Sequence, residues 1–142
     1  MNAQTLKSYF QKPELGLFLI RVGMGVVIAI YGLNKFREGE GTLRYVGSAV
    51  SSLGIPVSSE GVFALLLGIL AAGGELIGGI LIAIGLIFRP AAFLLLFIMT
   101  VALMTHLNAG DPFNAFAPAL TFGAVFAGLL FTGPGIVSIQ KA

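Results

Sequence analysis

The chain has no cysteine and no tryptophan, and a single histidine, His106. Without cysteine it forms no disulfide, holds no iron–sulfur cluster and builds no thiolate zinc site. With one histidine it cannot supply both axial ligands of a bis-histidine haem. No metal, haem or iron–sulfur cofactor is therefore expected. Charge is scarce as well: 8 Lys plus Arg and 6 Asp plus Glu make 10% of 142 residues, against about 25% in an ordinary soluble domain. The net charge of +2 is small and scattered, which argues against a nucleic-acid partner.

What the chain has instead is apolar length: 57% of its residues are hydrophobic. That excludes a soluble globular domain and a disordered tail, and points to one integral membrane domain over 1–142 in contact with the lipid bilayer. A helix crossing the hydrocarbon needs about 20 mostly apolar residues. Four segments qualify, at about 15–33, 61–88, 90–107 and 113–132. The first carries only Arg21, the second only Glu75, and the third ends near His106. Short connections, with Arg89 as almost the whole second turn, force antiparallel neighbours. The fold expected is all-α, a four-helix antiparallel transmembrane bundle. Arg21 interrupts the first apolar run and no small-x-small site closes it, so this segment is read as a retained span and not as a signal peptide.

Lys7, Lys12, Arg89 and Lys141 fall on one side of such a bundle, and Lys35, Arg37 and Arg44 on the other. By the positive-inside rule the first side is cytoplasmic. The expectation is a multi-pass protein of the inner (cytoplasmic) membrane with both termini in the cytoplasm. Tyr9, Phe10 and Tyr45 suit interfacial anchors. In the long first connection, Thr42 can cap a helix running to about Leu53, where Gly54 and Pro56 stop it. Leu43, Val46, Val50 and Leu53 share a stripe, so this short amphipathic helix is expected on the outer surface, over the mouth of the bundle.

Charges inside a span cost roughly 2.5–3.5 kcal/mol each near its centre. Arg21 and Glu75 fall within about one turn of each other in depth on antiparallel helices, so a buried Arg21–Glu75 ion pair is expected. It can be a strut alone or part of a ligand site. Small and polar residues mark the inward stripes. These are Arg21, Met24 or Gly25, Ile28, Tyr31 or Gly32 and Lys35 on the first helix, and Gly68, Ala71 or Ala72, Glu75 and Gly78 or Gly79 on the second. Met99, Ala102 and His106 mark the third, and Asn114, Pro118, Thr121, Val125 and Gly128 the fourth. His106 ends the third span beside water, where an imidazole with an ordinary pKa near 6.5 can exchange protons, or can simply bond a backbone carbonyl. The expected site is a cavity open to the outer face, bounded by Arg21, Glu75 and His106, with Tyr31, Asn34 and Lys35 at its rim. The four methionines read as packing, and the paired glycines of the second span sit inside an apolar run, so they are no phosphate loop.

The order of these features is itself informative. An Arg in the first span is followed by Tyr31-Gly32-Leu33-Asn34-Lys35-Phe36 and by Leu53-Gly54-Ile55-Pro56. Then come Gly74-Glu75-Leu76-Ile77-Gly78-Gly79, Gly85-Leu86-Ile87-Phe88-Arg89, a His closing the third span, and Gly133-Pro134-Gly135. This pattern, over about 15–139, resembles the DoxX family of four-helix membrane proteins. Family members often have His-Gly-x-x-Lys where this chain has Tyr31-Gly32-Leu33-Asn34-Lys35, and a charged or Tyr-rich tail where it has Ile136-Val137-Ser138-Ile139-Gln140. The resemblance implies similarity to the membrane subunit of thiosulfate:quinone oxidoreductase.

Two functional classes follow. One is a membrane subunit of an oxidoreductase system that binds a quinone in the bundle and works with a redox partner protein or other membrane subunits. The other is a non-catalytic scaffold, accessory subunit or small-solute carrier in which the ion pair is only structural. The pattern assigns no catalytic residue.

Overall fold

The structure, a computed structural model, describes residues 12–140. Lys7, Tyr9, Phe10 and Lys141, used above for orientation and anchoring, lie outside them. Four helices are long and apolar enough to cross a membrane: α1 (Pro13–Glu38), α3 (Val62–Ile84), α4 (Phe88–Ala109) and α5 (Phe113–Thr132). At 20 to 26 residues and 1.5 Å per residue they measure roughly 30–39 Å, enough for a hydrocarbon core of about 30 Å. Between α1 and α3 lie α2 (Glu40–Ser48) and one 3-10 segment, Ala49–Leu53. The expected bundle is thus the observed one, with the two ends of the described chain at the same end of it. There the Ile136 amide donates to Glu14 (3.0 Å). We call this the terminus end.

Glycine sets the register of α1 on α3. A Cβ on Gly25 would come within 2.6 Å of the Gly79 carbonyl oxygen, and one on Gly79 within 2.7 Å of the Ala29 nitrogen. Further along, a Cβ on Gly32 would lie 2.5 Å from Ala72 O and 2.9 Å from the Glu75 Cβ. Small residues here let two backbones touch, which is how helices associate where lipid removes the hydrophobic drive. The α3 stripe expected from sequence is buried: Gly68, Ala72, Glu75 and Gly79. On its neighbouring face, Gly78 packs against Leu95 and Gly74 against Ile98 of α4. Phe88, Leu95, Phe126, Ile82 and Ile28 fill the core towards the terminus end.

Three boundaries differ from expectation. The second span stops at Ile84, because Gly85 takes the left-handed conformation (φ 71°) and bonds back to Ile82. This is the usual glycine C-cap. Arg89 therefore sits in the first turn of α4 and the tight turn is at 85–87. Ile87 is also left-handed (φ 46°), a rare state for a β-branched residue. It is held by the Phe88 amide donating to the Gln140 side chain (3.0 Å) and by burial of Phe88.

The first connection departs more. Its helix begins at Glu40 after Gly39, without Thr42 as cap, and turns 3-10 at Ala49. It does not lie flat on the surface but runs along α3. A Cβ on Gly47 would fall on the Ala64 carbonyl, and one on Gly68 on the backbone of Leu43. Gly54 does end the segment in the left-handed region, as expected. On α5 the buried stripe is Phe122, Phe126 and Leu129. Of the face chosen for its small and polar residues, Asn114, Thr121 and Gly128 are exposed, while Val125 packs on the core and Pro118 reaches the cavity, because bulky apolar side chains fill the bundle better.

A candidate ligand cavity

A cavity of about 520 Å³ lies among α1, α3, α4 and α5, within the 300–1,000 Å³ range of small-molecule sites. Its walls are almost wholly apolar. Ile28 and Tyr31 come from α1, Met99 and Ala102 from α4, and Pro118 and Phe122 from α5. Val46, Ala49 and Val50 roof it at the end opposite the termini. That roof is tied to α4. The Asn108 amide donates to Ser52 O (3.2 Å), and the Thr105 hydroxyl, which donates to Val101 O (2.9 Å), lies 3.3 Å from Ser52 Oγ. The segment expected over the mouth thus lies across this end of the cavity and partly covers it.

Glu75 is 1% exposed at the cavity wall, and its partner is Lys35. The Lys35 ammonium donates to Glu75 Oε1 (2.5 Å) and also to Oε2. Arg21 is not the partner. Gly32 is the α1 residue facing Glu75, and Arg21 lies eleven residues earlier, about 16 Å along the helix. The depth estimate failed because α1 extends beyond the end of α3 at the terminus end. Register counted from span ends placed Arg21 too deep. Lys35, one turn beyond Gly32, is on the right face and at the right depth.

Arg21 is nonetheless buried, and it organises the tail. It donates to Pro134 O (2.5 Å) and to Val137 O, and its guanidinium lies 5.5 Å from the Phe18 ring centroid. The tail then bonds the 84–88 turn, with the Ile139 and Gln140 amides donating to Ile84 O and Gly85 O. Arg21 lines no part of the cavity. Asn34 is exposed and does not line it either.

His106 does line it, at the roofed end, with Nδ1 2.6 Å from Asp111 Oδ2. A carboxylate only accepts, so the bonded Nδ1 carries the hydrogen and Nε2 is the nitrogen left for exchange. Gly110, left-handed at the end of α4, turns the chain so that Asp111 reaches back. Asp111 follows His106 by five positions, a pairing the spans alone do not reveal. The signal was the glycine that brings a residue five positions on back over the helix end. The inward stripes expected from sequence also leave out Phe122, whose ring meets Tyr31 edge to face (centroids 5.8 Å apart, 76°).

Of the six residues singled out, the cavity brings together Tyr31, Lys35, Glu75 and His106. Gly74 and Gly78 pack on Leu94, Leu95 and Ile98 of α4. Glu75 is therefore level with that stretch, and His106 lies two to three turns higher, on the order of 12–16 Å. The cavity thus has two polar ends and an apolar middle.

The chain is 34% identical over 92 residues to the "Putative oxidoreductase CatD" of Bacillus subtilis (strain 168), in a match that covers 65% of this chain and 60% of that protein. It is 28% identical over 138 residues to the "Inner membrane protein YphA" of Escherichia coli (strain K12), covering 92% and 91% of the two chains. No solved structure matches it. The DoxX family profile matches residues 16–108. That match covers well over half of the chain, and with its four membrane-length helices the chain is an integral membrane protein that belongs to the DoxX family.

Proposed function

We propose that the protein is the membrane subunit of an oxidoreductase system and that its cavity binds a quinone. The observation that carries this reading is the Lys35–Glu75 pair, its carboxylate buried, in the wall of a mostly apolar cavity of about 520 Å³. An apolar ring with one or two carbonyl oxygens fits that chemistry. The name of the relative CatD adds support for a redox setting. When bound, a quinone supplies two-electron redox chemistry and takes up protons on its oxygens.

The chain's own part is to bind, orient and exchange protons. Lys35 directs hydrogens at Glu75, and an ammonium has three, so one remains for a ligand oxygen. Tyr31 and Phe122 offer ring faces and edges to a planar ligand. His106, steadied by Asp111, exchanges protons with water at the roofed end. The electrons come from a partner protein or a diffusible carrier. The terminus end, with Lys7, Lys12, Arg89 and Lys141 of the sequence against Lys35, Arg37 and Arg44 at the other, faces the cytoplasm in this reading.

The test is quinone retention after extraction in mild detergent, followed by titration with a decyl-tailed benzoquinone. Glu75→Gln and His106→Ala should each weaken binding at least tenfold while the protein stays folded. A parent protein that binds no quinone, or variants that bind like the parent, would replace this reading with that of a scaffold.

A further inference from the structure

Four seams separate the spans, and they are not alike. α1 packs on α3, α3 on α4 and α4 on α5, but α1 and α5 do not pack backbone against backbone along their length. At the level of the cavity a ring pair, Tyr31 against Phe122, bridges them. Both rings line the cavity, and Tyr31 is 47% exposed. Pro118, on α5 one turn from Phe122, also lines the cavity and is exposed. At the opposite end the roof helix is docked on α3 through Gly47, and the segment after it meets α4 where the Asn108 amide donates to Ser52 O.

We propose that the ligand of this cavity is a lipid-phase molecule that enters sideways from the bilayer, between α1 and α5, with Tyr31 and Phe122 as the gate. The physical argument is comparative. The roof helix is docked on α3 by close backbone contact, Gly47 on Ala64 and Leu43 on Gly68, which must part to admit a ligand from water. At the level of the cavity the α1–α5 seam is bridged by an edge-to-face contact, worth about 0.5–1.5 kcal/mol, between a buried ring and one that is half exposed, while towards the terminus end Ile28 of α1 joins the same apolar core as Phe126 and Leu129 of α5. A side-chain rotation of Tyr31 opens the seam at the cavity level without moving a helix. The competing route lies between α3 and α4, where Leu70, Leu94 and Phe97 line the cavity from exposed positions. There the Ile98 and Leu95 side chains of α4 pack directly on Gly74 and Gly78 of α3 and fill the seam below them. A hydroxyl-rich or charged solute has no path through either seam, so the ligand class is an apolar molecule that partitions into lipid.

This proposal uses the same cavity as the quinone reading, but its test measures access and not binding. The chain has no cysteine, so single thiols report cleanly. Ala102→Cys places one in the cavity wall, and Ser51→Cys one on the exposed segment at the roofed end. In lipid nanodiscs, N-phenylmaleimide and a charged methanethiosulfonate are each timed at both sites. The rate at position 102 relative to position 51 should be at least tenfold greater for the apolar reagent than for the charged one. In the Ala102→Cys background, Tyr31→Ala should raise the apolar rate severalfold and Ala119→Phe, which narrows the seam, should lower it. Equal relative rates for the two reagents would overturn lateral entry. Apolar rates unmoved by both seam variants but raised by Phe97→Ala would overturn the α1–α5 gate. Failure of quinone binding with these access rates intact would count against the quinone and not against the route.

Discussion

Lys35 on α1 donates to both carboxylate oxygens of Glu75 on α3, and the two form a pair, its carboxylate buried, that Arg21, about three turns away on α1, does not join. An ion pair in an apolar wall is stable mainly by its completeness. Removing one partner leaves a charge with no counter-ion, which costs about 3–5 kcal/mol, whereas replacing both with apolar groups of similar volume is often close to neutral. Glu75→Gln and Lys35→Met alone should therefore each lower thermal stability in detergent clearly. The double variant Lys35→Met with Glu75→Met should recover most of the loss. Single variants as stable as the parent would mean that the pair does not hold the helices.

Arg21 acts at the other end, on the tail. With Arg21→Gln, the buried Pro134 carbonyl loses its donor, and an unsatisfied buried group costs about 1–3 kcal/mol. Residues 134–140 should become accessible to protease while the cavity keeps its ligand. Equal cleavage of variant and parent would remove Arg21 from this role.

The close approach of α2 to α3 predicts intolerance of a single methyl group. Gly68→Ala or Gly47→Ala would drive a Cβ into the backbone of Leu43 or Ala64. Overpacking of this kind costs about 1–3 kcal/mol, sometimes more. A lower melting temperature is expected for both, with Gly73→Ala as the tolerated control, since a Cβ there meets nothing closer than 4.0 Å. Unchanged melting of Gly68→Ala would contradict the packing.

Both ends of the described chain lie at one end of the bundle, so reporters fused to the two termini should give the same signal, the cytoplasmic one by the charge argument. Opposite signals would contradict the four-span arrangement.

The spans were legible in the sequence because apolar length is a one-dimensional property, and so were the small-residue stripe of α3 and the Met99–Ala102–His106 face of α4. Register was not. It depends on which glycines touch, and Gly25 with Gly79 shifts α1 along α3 far enough to exchange Arg21 for Lys35 as the partner of Glu75. The α5 face was misread for a different reason. Small and polar residues were favoured as inward, but Phe122 and Phe126 fill the bundle. The 40–53 segment showed a sound amphipathic stripe, yet the stripe alone could not tell a helix lying on lipid from one docked on α3 through Gly47. Asp111 was visible beside His106, but its return over the helix end depends on the left-handed Gly110.

The most direct measurement of the central claim is quinone content, per mole of folded protein, in the Lys35→Met/Glu75→Met double variant beside the parent. Both should melt at similar temperatures, which separates the role of the pair in holding the bundle from its role in holding a ligand. The account predicts that the parent retains quinone and the double variant loses at least nine-tenths of it. Equal quinone in the two proteins, or none in the parent, would contradict it.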